Sequence, residues 1–150
     1  MKTIFKIIAL SAVLLILAGG LISCEKKENC MPFIHITDGD LTGNEGIPQQ
    51  KIVITTQEEW KNLKTAMGKE RTKDFCETEV DFGKYMIIAV FDEIRNSGGL
   101  RIEVACITEH FDKIVVTVKA YYLGWLIAPE IITQPYHIVK IPTSAKSVEF

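Results

Sequence analysis

The chain has 150 residues, with 17 lysines and arginines against 19 acids and a formal net charge of −2. So even a balance excludes a partner recognised through an excess of basic charge, nucleic acid above all. A hydrophobic fraction of 47%, with ten glycines and five prolines, excludes a disordered or collagen-like chain and leaves a globular one.

Lys2 and Lys6 open the chain, a mostly apolar run follows from Ile7 to Ile22, and Leu21-Ile22-Ser23-Cys24 ends it just before charged residues. That order is a secretory signal. A bilayer span needs about 20 apolar residues, and this run is shorter and broken by Ser11, Gly19 and Gly20. Its end resembles the lipobox of bacterial lipoproteins, in which the signal is cut before the cysteine and the thiol carries diacylglycerol. The resemblance implies a leader over residues 1–23, a lipidated Cys24 and a palmitate-type acyl anchor. It places the protein in the cell envelope, at the outer membrane, facing the periplasm or the exterior. Acyl chains contribute about 0.8 kcal/mol per buried methylene, so two or three hold a soluble domain firmly.

Removing 23 of the 150 residues leaves 127, enough for one domain and a short tether. Residues 24–32 are the expected tether, with the charged stretch EKKEN at its centre, and residues 33–150 the domain. PFIHIT (32–37) predicts a strand, DGDLTGNEGIPQQ (38–50) a polar, glycine-rich loop, and KIVIT (51–55) a second strand. Thr56 with Glu59 forms a capping box, after which Trp60, Leu63 and Met67 recur at helical spacing until Gly68, where a stop is expected.

Beyond an irregular, charged stretch (68–84), YMIIAVFDE (85–93) predicts a strand covered on both faces. IRNSGG supplies turn chemistry before LRIEVACIT (100–108), which predicts a hairpin, and KIVVTVKAYY (113–122) extends it into a three-stranded meander. Residues 123–134 form a connection, PYHIVKIP (135–142) a strand, and SVEF a short closing one. Short antiparallel strands with one packed helix make a β-rich α+β fold, sandwich-like or strongly curled.

With Cys24 assigned to lipid, Cys30, Cys76 and Cys106 remain in a compartment that permits disulfides. Cys106 shares a face with Leu100, Ile102 and Val104 and is expected as a buried thiol, which makes Cys30 with Cys76 the favoured bridge. Asp38, Asp40, Thr42 and Gln49 follow part of an EF-hand spacing, but the twelfth position is not glutamate and no helix enters the loop. His35, His110 and His137 lack the spacing of metal ligands. The serines lie in no nucleophile elbow, and Cys106 near His110 is the sole Cys/His proximity along the chain. Neither a metal, a cofactor nor a catalytic constellation is expected.

The connection from Tyr121 to Ile132 stands out, because loops are usually polar and this one carries Tyr122, Trp125, Leu126 and Ile127. Such residues either close the core or meet a partner.

Ile52 to Leu63, Val80 to Val104 and Gln134 to Pro142 together resemble the PrcB C-terminal-like family, named for a lipoprotein subunit that associates with and stabilises a secreted subtilisin-type protease. Asp81-Phe82, Gly98-Gly99 and Pro135-Tyr136 match the family pattern, while Leu100 stands where an aromatic commonly follows the double glycine. The resemblance implies a non-catalytic protein-binding domain, with Gly98, Gly99 and Leu100 near the partner beside Tyr122, Trp125, Leu126 and Ile127. Two alternatives are a carrier of small hydrophobic ligands, with Trp60 and Trp125 in its pocket, and a hydrolase.

Overall fold

The structure, a computed structural model, describes residues 29–122, 124 and 130–150. The expected leader, Cys24 and the Trp125, Leu126 and Ile127 segment lie outside the described residues. In chain order the elements are β1 (Ile34–Leu41), β2 (Gln50–Ile54), α1 (Gln57–Met67), α2 (Lys69–Thr72), β3 (Tyr85–Phe91), β4 (Leu100–Glu109), β5 (Lys113–Tyr122), β6 (Gln134–Pro142) and β7 (Ser147–Glu149). Two sheets form, β1-β6-β3-β2, fully antiparallel, and β4-β5-β7, in which β7 runs parallel to β5. The fold is β-rich with one main helix. Among the described residues no helix is long and apolar enough to cross a membrane.

The four-stranded sheet is the middle layer. Ile87, Ala89 and Phe91 of β3, with Tyr136 and Ile138 of β6, pack against Trp60, Leu63 and Met67 of α1. Met86, Ile88 and Val90, with Val139 and Ile141, face Ile102, Val104, Ile107, Ile114 and Val116 of the second sheet. Successive side chains of a strand point to opposite faces, so covering both faces requires the unbroken apolar run seen in β3.

Helix α1 forms where local chemistry dictates. The Thr56 hydroxyl accepts the Glu59 N–H (3.2 Å), and the Glu59 carboxylate accepts the Thr56 N–H (3.1 Å). The Thr55 N–H, the Thr56 hydroxyl and the Thr56 N–H together hold the Glu59 carboxyl below its usual range. Gly68, at φ +86°, ends the helix in a backbone conformation open to glycine.

Two sequence expectations are corrected. Residues 38–41 are strand, paired with β6, rather than loop. Gly39 pairs with Tyr136, whose ring lies over the glycine with its hydroxyl 3.4 Å from where a Cβ would stand, so tertiary packing overrides the poor strand propensity of Asp and Gly. And β3 with β4 is not a hairpin, nor β3–β4–β5 a meander. The edges of β3 are taken by β2 and β6, and residues 92–99 carry the chain across to the second sheet, steadied by an Arg95–Thr133 bridge.

The expected cysteine pairing is also overturned: Cys30 is bonded to Cys106, and Cys76 is free and exposed. The chain is fastened to β4 from Cys30 onward, because the Met31 N–H donates to Ile107 O (2.8 Å) and lays this segment along the strand. Burial of Cys106 therefore accompanies a bridge instead of excluding one.

Candidate functional site

Two features remain once the core is accounted for. The first is polar and sits where β1 meets β4. The register of β1 on β6 slips between His35 and Thr37, and that of β4 on β5 between Val104 and Cys106. Such bulges re-aim side chains. Here His35, Asp38, Arg101, Glu103, Tyr121 and His137 line a recess of about 200 Å³. Arg101 pairs with Asp38 across the two sheets, and the Tyr121 hydroxyl donates to Glu103 (3.3 Å).

The imidazole tautomers follow from their partners. The Val104 N–H donates to His137 Nδ1 (2.7 Å), so Nε2 carries the proton of the neutral ring. Asp38 accepts from His35 Nε2 (2.8 Å), which in the neutral ring makes His35 Nδ1 the acceptor. That nitrogen lies 3.9 Å from the Cys76 sulfur.

Cys76 is positioned by what flanks it. Phe75 is buried and stacks on Trp60, the Cys76 N–H donates to Ile36 O (2.9 Å), and Glu77 pairs with Lys140, itself only 6% exposed. The residue that results is an exposed thiol held on an anchored segment.

His137 is pushed down to about 4 from 6.5, first by burial and then by His35, with Arg101 acting in the same sense and Glu103 against it. The unfolded chain therefore binds more protons between those two values. The contribution of this ring is complete above pH 6.5 and is lost as the pH falls towards 4. The shift corresponds to about 3 kcal/mol, reduced to about 2 by solvent screening. Urea unfolding across that range is expected to show the loss. His137→Asn, whose Oδ1 can accept the Val104 N–H, should flatten most of it; an unchanged slope would assign the dependence to other groups.

The second feature is a groove of about 430 Å³ between α1 and β2, lined by Ile47, Ile52, Ile54, Leu63 and Ala66 with Gln50, Glu59 and Asn62 among them. β2 is the last strand of its sheet, and among the described residues nothing makes backbone hydrogen bonds to its outer side. Alternate residues of such a strand present unpaired N–H and C=O groups.

Of the residues expected at a site, the structure pairs Leu100 with Tyr122 across β4 and β5, so Gly98, Gly99, Leu100 and Tyr122 lie at one end of the second sheet. Tyr122 is 71% exposed at the end of β5, whereas Leu100 is 7% exposed and packs inward. Gly98 is buried, and Gly99 takes φ +85° in the crossing between sheets, not in a hairpin. Trp60 is fully buried and does not line the groove. Cys106 is oxidised and has no thiol to offer His110, whose backbone closes the β4–β5 turn (His110 N–H to Lys113 O, 2.8 Å).

Asp38 and Asp40 lie on β1, Thr42 bonds to Glu45, and the Gln49 amide donates to Asp92 (3.3 Å). Among the described residues no three His, Cys, Asp or Glu side chains are grouped to hold a metal ion. Sequence reasoning missed the approach of Cys76 to His35. They lie 41 positions apart, and only the odd number of cysteines left after Cys24 hinted at a free thiol. Comparison with family models, curated proteins and solved structures finds no match to this chain.

Proposed function

We propose that this chain is a non-catalytic, membrane-tethered protein-binding domain of the cell envelope, anchored through an acylated Cys24. In this reading it takes an extended segment of a partner protein along β2, as an accessory or stabilising subunit of a secreted or envelope protease. The observation that carries the reading is the open β2 edge beside an apolar groove. An unpaired strand edge supplies hydrogen bonds to any extended backbone, and flanking pockets select its side chains. The leader and the resemblance to the PrcB C-terminal-like family support the anchor and the protease partner.

The test uses the full-length lipidated protein purified from detergent-solubilised membranes. A single partner is expected to be retained by the parent protein. It should be lost about tenfold by Ala66→Arg, an exposed helix position that lines the groove. Equal retention by the variant would place the contact elsewhere, and a parent that retains nothing would overturn the reading.

A further inference from the structure

We propose that Cys76, His35 and Asp38 form a thiol–disulfide exchange site, through which the protein takes a disulfide-bearing molecule into a mixed disulfide. This goes beyond strand addition at β2 and does not depend on it.

The site has three parts in series. Asp38 accepts the His35 Nε2–H, which fixes the ring so that Nδ1 faces the Cys76 sulfur as a proton acceptor. Arg101 binds the second oxygen of Asp38 and holds the carboxylate in place. Nucleophile, base and orienter thus stand in the order that activated thiols require. The sulfur is presented to solvent, while Phe75 and the Glu77–Lys140 pair anchor the backbone on either side. The recess that shares His35 and Asp38 offers charges of both signs, Arg101 and Glu103, to the flanks of an incoming disulfide.

The exchange balances without any further reactant. His35 Nδ1 takes the thiol proton, and the Cys76 sulfur attacks one sulfur of the incoming disulfide. A new S–S bond forms as the old one breaks. The departing thiolate then recovers the proton from His35. The Cys30–Cys106 bridge is left unchanged, and the product is a stoichiometric adduct on Cys76.

The probes are oxidised glutathione and, separately, a cyclic disulfide peptide, each mixed with the purified protein and followed by intact mass. With His35 placed as a base 3.9 Å from the sulfur, Cys76 in the fold is expected to react about tenfold faster than in the same chain unfolded in urea. Cys76→Ser should give no adduct. His35→Gln, at an exposed position, should bring the rate down to that of the unfolded chain while the circular dichroism stays the same.

A pH profile supplies the second readout. The dependence of the parent's rate on pH should differ from that of His35→Gln, because only the parent has a base beside the sulfur. Besides His35 and Asp38, the groups that face the site are Arg101, Glu103 and the neutral His137 around the His35 ring and the Glu77–Lys140 pair beside Cys76. The faster of the two probes distinguishes a small-molecule disulfide from a peptide one. Equal rates in the folded and unfolded chain, or a His35→Gln rate equal to the parent's, would overturn the proposal. Ala66→Arg should leave the exchange untouched, so failure here and failure of the β2 reading are separable.

Discussion

Reduction of the Cys30–Cys106 bridge is expected to lower stability by about 4 kcal/mol, a fall of roughly 15 °C in Tm. The bond spans a sequence separation of 76 residues, and cross-linking so long a loop removes much of the entropy of the unfolded chain. It also holds the Met31 N–H against Ile107 O and keeps Met31 and Phe33 on the apolar layer between the sheets. Because Cys30 lies six residues after Cys24, the bond stands between the anchor and the body in the proposed envelope arrangement. Urea titration with and without reductant, and of a Cys30→Ala/Cys106→Ala variant, measures the effect. Cys76→Ala serves as the control and should be neutral, since that thiol is free and exposed. Midpoints that coincide with and without reductant would show that the bond contributes nothing.

Trp60→Ala is expected to cost about 4 kcal/mol. The ring is fully buried, stacks on Phe75 with centroids 5.6 Å apart, and its Nε1–H donates to Thr78 O (3.0 Å). Truncation leaves a cavity between helix and sheet and removes one of the two donors to Thr78 O, the other being Lys64 Nζ (2.8 Å). It also loosens the 75–78 segment that carries Cys76, so exchange at that thiol should slow along with the loss of stability. Trp60→Phe keeps an aromatic ring against Phe75 but loses the N–H and part of the indole volume, and should cost less, about 1–2 kcal/mol. A Trp60→Ala protein as stable as the parent would mean that the helix does not depend on this contact.

How far the sequence carried can be judged from single elements. Helix α1 was readable because its cap, its apolar stripe and its glycine stop all lie within a dozen or so residues and answer to nearby backbone. The bounds of β5 were readable for the same reason: turn residues close it at one end and alternation runs through it. The double burial of β3 was visible in its unbroken apolar run. The partner of β3 was not, because turn chemistry before Leu100 is equally consistent with a hairpin and with a crossing between sheets. The strand at Asp38-Gly39-Asp40 was hidden by local propensity, which the Tyr136 ring overrides from β6.

The sequence by itself determined the β-rich class, the main helix and most strand positions, since these follow from side-chain periodicity and capping over short spans. The apolar run and Cys24 on which the proposed anchor rests are likewise features of the sequence alone. Only the tertiary structure decided the order of strands, the Cys30–Cys106 pairing, the open edge of β2 and the meeting of Cys76 with His35 and Asp38. Each of these joins residues that are distant in the chain. Such contacts are set by which surfaces bury one another, and no local pattern records that choice.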